Sequence, residues 1–249
     1  MGHESQDEAV QAGRPLLEFT DVAKSYGADN TLVHALKSTT FSLEAGELVA
    51  VMGPSGSGKS TMLALAGGME RPTSGVVRIA GRDLAECSSK DMARLRRRIL
   101  GYVFQELNLM PGLTARENVA LPLELDGWSV KKIDREVGSA LERVGIQNLS
   151  GRFPDQLSGG EQQRVAIARA FVGSRELVLA DEPTGALDTA NGETVMELLR
   201  EQCDSGKSAL LVTHNPTHAA WADRVIFIKD GCIVDESRPQ SPAHEIPES

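Results

Sequence analysis

Short apolar runs alternate with longer segments of helical spacing along most of the chain. Three of these runs, at residues 48–52, 177–180 and 209–213, are continuously apolar. Continuous apolar runs are typical of strands that are buried on both faces, and strands that alternate with helices generally form parallel sheets. The pattern therefore predicts an α/β fold in which these three strands lie side by side in a mostly parallel core sheet.

Two regions depart from this alternation. Residues 16–43 alternate between apolar and polar positions, which predicts antiparallel strands in a β subdomain at one edge. Residues 115–125 and 130–144 have helical spacing and no strand signal, which predicts an α-helical insertion. We expect this insertion to belong to a helical subdomain of about 106–172.

The two ends of the chain have a different composition. Residues 1–14 are polar and acidic without periodicity, and residues 238–249 carry prolines among charged side chains. Such segments cannot bury enough apolar surface to fold, so both are predicted to be disordered tails. The expected folded domain is 15–237.

Composition and charge exclude several classes of function. The 249 residues are 41% apolar, and 26 Lys and Arg against 35 Asp and Glu give a net charge of −9. Without a dense basic patch, no nucleic acid partner is expected, and the basic run 94–98 is interpreted as a solvated helix face. The three cysteines lack disulfide or metal-ligand spacing, which indicates a reducing compartment. With neither a leader nor an apolar run of about 20 residues, the chain is expected to be soluble by itself.

A phosphate-binding motif, GxxxxGK[ST], directly follows the first buried strand and precedes a helical pattern. Its glycines let backbone N–H groups point at phosphate oxygens, and the helix adds its positive end. Lys59 is predicted to bridge the β- and γ-phosphates and Ser60 to ligate Mg²⁺. A flexible Gly/Ser loop would not explain these two residues at these offsets. The predicted nucleotide-binding residues here are Gly53, Pro54, Ser55, Gly56, Ser57, Gly58, Lys59, Ser60 and Thr61.

Another buried strand, at 177–180, ends in two acids. Ligands of open α/β sheets bind at the carboxyl ends of the strands. Asp181 is therefore placed to hold Mg²⁺ through water, and Glu182 to orient or deprotonate the water that attacks the γ-phosphate. Taken alone, the two acids could equally begin a turn at Pro183, but the phosphate-binding motif in the same chain favours the catalytic interpretation.

A third motif, LSGGEQQR at 157–164, opens a helical run. Ser158 and Glu161 have the spacing of a capping box. Gly159 and Gly160 leave backbone N–H groups uncovered at the positive end of the helix, which predicts a second anion site separate from the first. An ordinary helix start needs the serine and the acid, but not two glycines that disfavour the first turn.

LSGGEQQR resembles the signature of ATP-binding-cassette (ABC) ATPases, and residues 16–236 follow their pattern in order. The resemblance implies a P-loop NTPase of the ABC type with ATP and Mg²⁺ as cofactors. It further implies that Tyr26 stacks on adenine, that Gln105 senses and ligates Mg²⁺, and that His214 contacts the γ-phosphate. Asp188, in the sequence GALD, is similar to the D-loop aspartate.

Taken singly, Tyr26 would more often be an edge aromatic, and His214 a core histidine. The implied catalytic residues are Glu182, His214 and Lys59, and the implied metal ligands are Ser60, Gln105 and Asp181.

The resemblance also implies partners. Two such cassettes face head to tail, and each ATP lies between the phosphate loop of one copy and Ser158-Gly159-Gly160 of the other. Residues 101–111 and 117–123 resemble the subgroup of macrolide exporters, lipoprotein-releasing systems and the cell-division ATPase. The expected partner is therefore a separate transmembrane permease, with the cassette cytoplasmic and bound peripherally at the inner face of the cell membrane. The alternatives are a soluble ABC machine of DNA repair or ribosomes, a small-molecule P-loop kinase, and a regulator of a membrane enzyme.

Overall fold

A computed structural model of the chain describes residues 15–185 and 189–239. The predicted tails, 1–14 and 238–249, lie outside these residues apart from 238 and 239. The strands are β1 Leu17–Tyr26, β2 Val33–Leu43, β3 Leu48–Met52, β4 Ser74–Ile79, β5 Arg82–Asp83, β6 Leu100–Val103, β7 Leu177–Asp181, β8 Ser208–Val212, β9 Arg224–Lys229 and β10 Cys232–Ser237. The α-helices are α1 Lys59–Ala66, α2 Ser89–Arg98, α3 Ala115–Leu125, α4 Val130–Arg143, α5 Gly159–Phe171, α6 Thr189–Asp204 and α7 Pro216–Ala219.

The core sheet has the strand order β10-β9-β3-β8-β7-β6. Strands β9, β3, β8, β7 and β6 run parallel, and β10 pairs antiparallel with β9. The predicted buried strands are confirmed as β3, β7 and β8, and they are neighbours in the sheet. Their continuous apolar sequences reflect burial on both faces of this sheet.

Alternate residues of β3 point to opposite faces of the core sheet. Leu48 and Ala50 pack in a hydrophobic cluster with residues of α3, α4, α5 and α6. Val49 and Val51 pack in a second cluster with residues of α1, α2, β1 and β2. Since side chains alternate across a strand, the sheet separates α1 on one face from α5 on the other.

The antiparallel strands predicted at 16–43 are confirmed as β1 and β2, but they belong to a sheet of their own. Its order is β2-β1-β4-β5, and β1 pairs antiparallel with both of its neighbours. Phe19 and Phe41 meet edge to face across β1 and β2, with 6.0 Å between ring centroids, and join the cluster on the α1 face. One side of this sheet is therefore buried, which explains the alternating sequence.

The predicted helical insertion is confirmed by α3 and α4. Thr114 caps α3, and Asn118 in the first turns is fully buried. The Asn118 Nδ2 group donates to the carbonyl oxygens of Met110, Leu113 and Thr114, and its Oδ1 accepts from the backbone N–H of Met110. This side chain therefore joins the segment after β6 to α3. Its hydrogen bonds also satisfy the amide group, which is necessary for a buried polar side chain.

Helix α5 approaches β6 closely at Gly101. A Cβ atom at this position would lie 2.0 Å from the backbone oxygen of Ala170 in α5. No side chain larger than hydrogen fits without moving backbone, so Gly101 sets the distance between α5 and the core sheet.

We expect Gly101→Ala to lower the free energy of unfolding by about 1–3 kcal/mol, because the added methyl group overpacks the α5 contact. Urea unfolding measures this change. Gly138→Ala is the matched control, since Gly138 lies in α4 and a Cβ atom there meets nothing within 4 Å. The control should stabilise by about 0.5–1 kcal/mol through helix propensity; equal stability of the two variants would contradict the packing account.

Candidate functional site

The residues predicted for catalysis follow four neighbouring parallel strands. The phosphate loop follows β3 and His214 follows β8, while β7 ends at Asp181 with Glu182 next, and Gln105 comes shortly after β6. Because these strands are adjacent and parallel, the segments that leave them emerge at the same edge of the sheet. The structure thus gathers the phosphate loop, both acids, the glutamine and the histidine.

The phosphate loop curls around its own lysine. The Lys59 Nζ group donates to the carbonyl oxygens of Gly53 at 2.8 Å and Pro54 at 2.9 Å. Gly58 has a φ of 109°, and a Cβ atom there would lie 2.3 Å from the backbone oxygen of Ala35 in β2. The loop therefore needs glycine at this position, and it presents a cation at the start of α1.

The other motif residues occupy the loop and the first turn of α1. Ser55, Gly56 and Ser60 are exposed, and Thr61 is half-buried. Ser57 is buried, and its backbone N–H donates to the carbonyl oxygen of Pro54. The exposed Ser60 hydroxyl is open to a ligand at the helix start.

Asp181 and Glu182 differ in their surroundings. Burial raises the pKa of the Asp181 carboxyl, the charge of Glu182 raises the pKa further, and Lys59 opposes both effects. The influence of Lys59 on Asp181 places the phosphate loop and the end of β7 in one electrostatic environment.

Glu182 is held by contacts from β8 and the segment after it. The Glu182 Oε1 atom lies 2.8 Å from Nδ1 of His214, and its Oε2 accepts from the Thr213 hydroxyl at 3.4 Å. The backbone of Glu182 is left-handed, with a φ of 45°, and its N–H donates to the carbonyl oxygen of Val212 at 2.9 Å. A left-handed residue with a side chain persists only where its surroundings hold it, and such residues cluster at functional sites.

The signature turn forms the predicted capping box. The Glu161 carboxylate accepts from the Ser158 backbone N–H at 2.7 Å and from its hydroxyl at 2.9 Å, and these bonds lower the pKa of Glu161. Gly159 and Gly160 begin α5, where the first N–H groups have no partner within the helix. Within 15–185 and 189–239, no hydrogen bond or ion pair joins this turn to the phosphate loop. The structure does not bring these two anion sites together.

Tyr26 ends β1 and is 37% exposed, and Lys24 Nζ lies 4.9 Å from the centroid of its ring. Tyr26 pairs with Val33 of β2, two residues before Ala35, which contacts Gly58. Strand β2 therefore connects this aromatic residue to the phosphate loop. Asp188 lies outside the described residues.

Comparison with known proteins gives the family of the chain. A family model described as ABC transporter matches residues 36–185, more than half of the chain. The chain belongs to the ABC transporter family.

Individual relatives agree with this assignment. The chain is 44% identical over 220 residues to the macrolide export ATP-binding/permease protein MacB of Shigella flexneri, covering 88% of this chain and 34% of MacB. It is 44% identical over 235 residues to the pyoverdine export ATP-binding/permease protein PvdT of Pseudomonas entomophila, covering 94% of this chain and 36% of PvdT. The chain thus spans about a third of the length of these curated relatives.

Solved ABC cassettes share the fold over nearly their full length. The chain matches two dimeric structures of the cassette MJ0796, one of them described as a post-hydrolysis state bound to ADP and Pi. Each match has a TM-score of 0.83 and 38% identity, and covers 90% of this chain and 99% of MJ0796. The predicted fold class is confirmed, and the chain is an ABC ATPase.

One arginine of this ABC ATPase was missed by the sequence analysis. The guanidinium of Arg169 in α5 donates to the carbonyl oxygens of Leu107 at 2.6 Å and Asn108 at 2.7 Å. Both of these residues are left-handed, with φ of 56° and 46°, and lie shortly after Gln105. Arg169 therefore ties the glutamine segment to the helix that starts at the signature. The available signal was a charged residue inside the apolar run at 165–171.

Proposed function

We propose that two copies of this ABC ATPase bind two ATP–Mg²⁺ head to tail, hydrolyse them and drive a membrane permease. The proposal rests on the positions of two helices, α1 and α5, whose first turns are the two predicted anion sites. Helix α1, after the phosphate loop, and helix α5, after the signature turn, pack on opposite faces of the core sheet. A second copy can supply the signature turn that the first chain holds away from its own phosphate loop. The dimeric cassettes of MJ0796 support this arrangement.

The phosphate loop and the acids and amide beside it form the part of the proposed site that one copy supplies, and these residues fit a nucleotide phosphate and Mg²⁺. The loop holds the Lys59 cation against the carbonyl oxygens of Gly53 and Pro54 at the start of α1, and a cation at the positive end of a helix suits a phosphate group. Mg²⁺ prefers oxygen ligands, and the exposed Ser60 hydroxyl, the Gln105 amide and the Asp181 carboxylate supply them at one edge of the sheet. When bound, Mg²⁺ would neutralise phosphate charge. The proposed nucleotide-binding residues are Tyr26, Gly53, Pro54, Ser55, Gly56, Ser57, Gly58, Lys59, Ser60, Thr61, Gln105, Ser158, Gly159, Gly160 and Asp188.

Glu182 is the proposed group that orients or deprotonates the attacking water. Its side chain is 15% exposed and is paired with His214, which is 76% exposed. The carboxylate is thus fixed in place, while the imidazole beside it is open to a nucleotide. General bases act from such fixed positions within hydrogen-bond reach of the proton that they accept.

The proposed partner is a permease engaged in export, and the cassette would work at the cytoplasmic face of the membrane. The names of MacB and PvdT, which combine an ATP-binding part with a permease, support this partner. In the part of the chain that the structure describes, no helix is both long and apolar enough to cross a bilayer. Met110 and Phe153, at 50% and 40% exposure beside the start of α3, offer apolar contacts to such a partner.

We expect Glu182→Gln to keep ATP binding and to lower turnover at least ~100-fold, because the variant cannot accept the proton of the attacking water. Steady-state ATPase rates and nucleotide binding test this, with Glu197→Gln on the exposed side of α6 as the control that keeps normal turnover. Light scattering should detect an ATP-dependent dimer of the Glu182→Gln protein. Near-normal turnover would remove Glu182 from the catalytic role.

The same ATP-trapped variant tests the permease proposal. Tagged protein is incubated with detergent-solubilised membranes of the source cell, and recovered proteins are identified by mass spectrometry. Enrichment of a multi-span membrane protein with ATP, but not without it, is the expected result. Recovery of ribosomal or DNA-bound partners alone would contradict the proposal.

Ser158→Ala and Ser88→Ala separate helix capping from nucleotide contact. Both serines form capping boxes, Ser158 with Glu161 at α5 and Ser88 with Asp91 at α2. Each variant should lose about 0.5–2 kcal/mol of unfolding free energy. Only Ser158→Ala should also lose about tenfold or more in ATPase rate, since it removes a hydrogen bond to a charged phosphate. Equal ATPase rates in the two variants would limit Ser158 to capping.

A further inference from the structure

A buried histidine in α7 contacts the turn that carries Glu182. His218 is 9% exposed, and its Nδ1 lies 2.9 Å from the hydroxyl of Thr184, which is 6% exposed. Thr184 is two residues beyond Glu182, in a turn closed by a bond from the Gly185 N–H to the Glu182 carbonyl oxygen at 3.0 Å. Helix α6 covers the ring so closely that a Cβ atom at Gly192 would lie 3.4 Å from Nε2 of His218.

Asn215 determines which ring nitrogen of His218 carries the proton. The Asn215 Oδ1 accepts from the backbone N–H of Thr217 at 2.9 Å and so caps α7. Its Nδ2 group then faces Nε2 of His218 at 3.4 Å. Because an amide nitrogen is a donor, Nε2 must accept, and Nδ1 carries the proton and donates to Thr184.

We infer that His218 is a positioning residue for Glu182: the neutral ring, protonated on Nδ1, anchors Thr184 and thereby fixes the turn that presents the Glu182 carboxylate. This inference rests on the proposed role of Glu182. The left-handed backbone of Glu182 needs support on both sides. Val212 supports it through the Glu182 N–H, and the anchored Thr184 supports the turn after it.

A second proton on His218 opposes this arrangement. The imidazolium would direct an Nε2–H group at the Asn215 amide, so that two donors face each other. Burial lowers the pKa of His218; Glu182 and Glu193 oppose this effect, and His214 adds to it. These three ionisable groups lie on the turn after β7, on α6 and on the segment after β8. Because the pKa in the folded chain lies below 6.5, the folded state loses stability as the pH drops from 6.5 through that pKa.

The tautomer of His218 is measured first, on the full chain without nucleotide. Long-range ¹H–¹⁵N spectra of ¹⁵N-histidine-labelled protein report it, and the His218 signals are identified by their loss in His218→Asn. We expect a neutral ring protonated on Nδ1, with a pKa below 6.5. A ring protonated on Nε2, or a pKa above 6.5, would overturn the inference. Because no hydrolysis is involved, this result is independent of the proposed role of Glu182.

ATPase kinetics then test the effect on Glu182. Thr184→Val and His218→Ala should each lower kcat about tenfold, with an unchanged KM for ATP because the phosphate loop is untouched. The double variant should lose no more than either single variant, because both remove the same contact. Additive losses, or a loss in KM alone, would contradict the inference.

His218→Asn is the rescue variant, because its amide nitrogen can donate to Thr184 from the place of Nδ1 without titrating. It should keep most of the wild-type kcat. In the wild type, protonation of His218 should lower kcat below about pH 6.5, and this part of the decline should be absent in His218→Asn. An acidic decline identical to that of the wild type would contradict the pH dependence assigned to His218. All other ionisable groups are the same in the two proteins, so the comparison isolates His218.

Discussion

The parallel pairing of β3, β8, β7 and β6 is the constraint on which the candidate site depends. It places the ends of four strands at one edge, and so brings the phosphate loop, Asp181, Glu182 and His214 together from remote parts of the sequence. The same sheet is covered on both faces, which keeps α1 and α5 apart. The core sheet therefore explains both why these residues lie together and why the signature turn lies apart from them. The proposed head-to-tail dimer follows from this arrangement.

Polar side chains that are buried or half-buried fix the segments that leave the strands. Asn118 holds the backbone of Met110, Arg169 holds the carbonyl groups after Gln105, and His218 holds the turn of Glu182. Apolar packing is not directional enough to set the conformation of such loops, whereas a buried hydrogen-bonding group must find its partner at a defined angle.

The strands of the core and the motifs could be predicted from the sequence because their signals are local. Continuous apolar runs marked β3, β7 and β8, and a capping box marked the start of α5. Strands β4, β5, β9 and β10 were not predicted. β4, β5 and β10 have only antiparallel partners, and β9 runs parallel with β3 but antiparallel with β10. None of the four has the continuous apolar sequence of a strand buried on both faces. The contact of His218 with Thr184 joins residues 34 apart in sequence, and no periodicity reports such a pair. The nucleotide motif could be seen in the sequence; the groups that hold it in place needed the fold.

The shared nucleotide site is tested most directly by mixing two inactive proteins. Lys59→Ala removes the cation of the phosphate loop, and Gly160→Asp places a negative charge at the start of α5, where it suits the helix but repels phosphate. A mixed dimer contains one site with an intact phosphate loop from one copy and an intact signature turn from the other. The account predicts that the mixture hydrolyses ATP faster than the sum of its two components. A mixture that never exceeds this sum would contradict a site built from two chains.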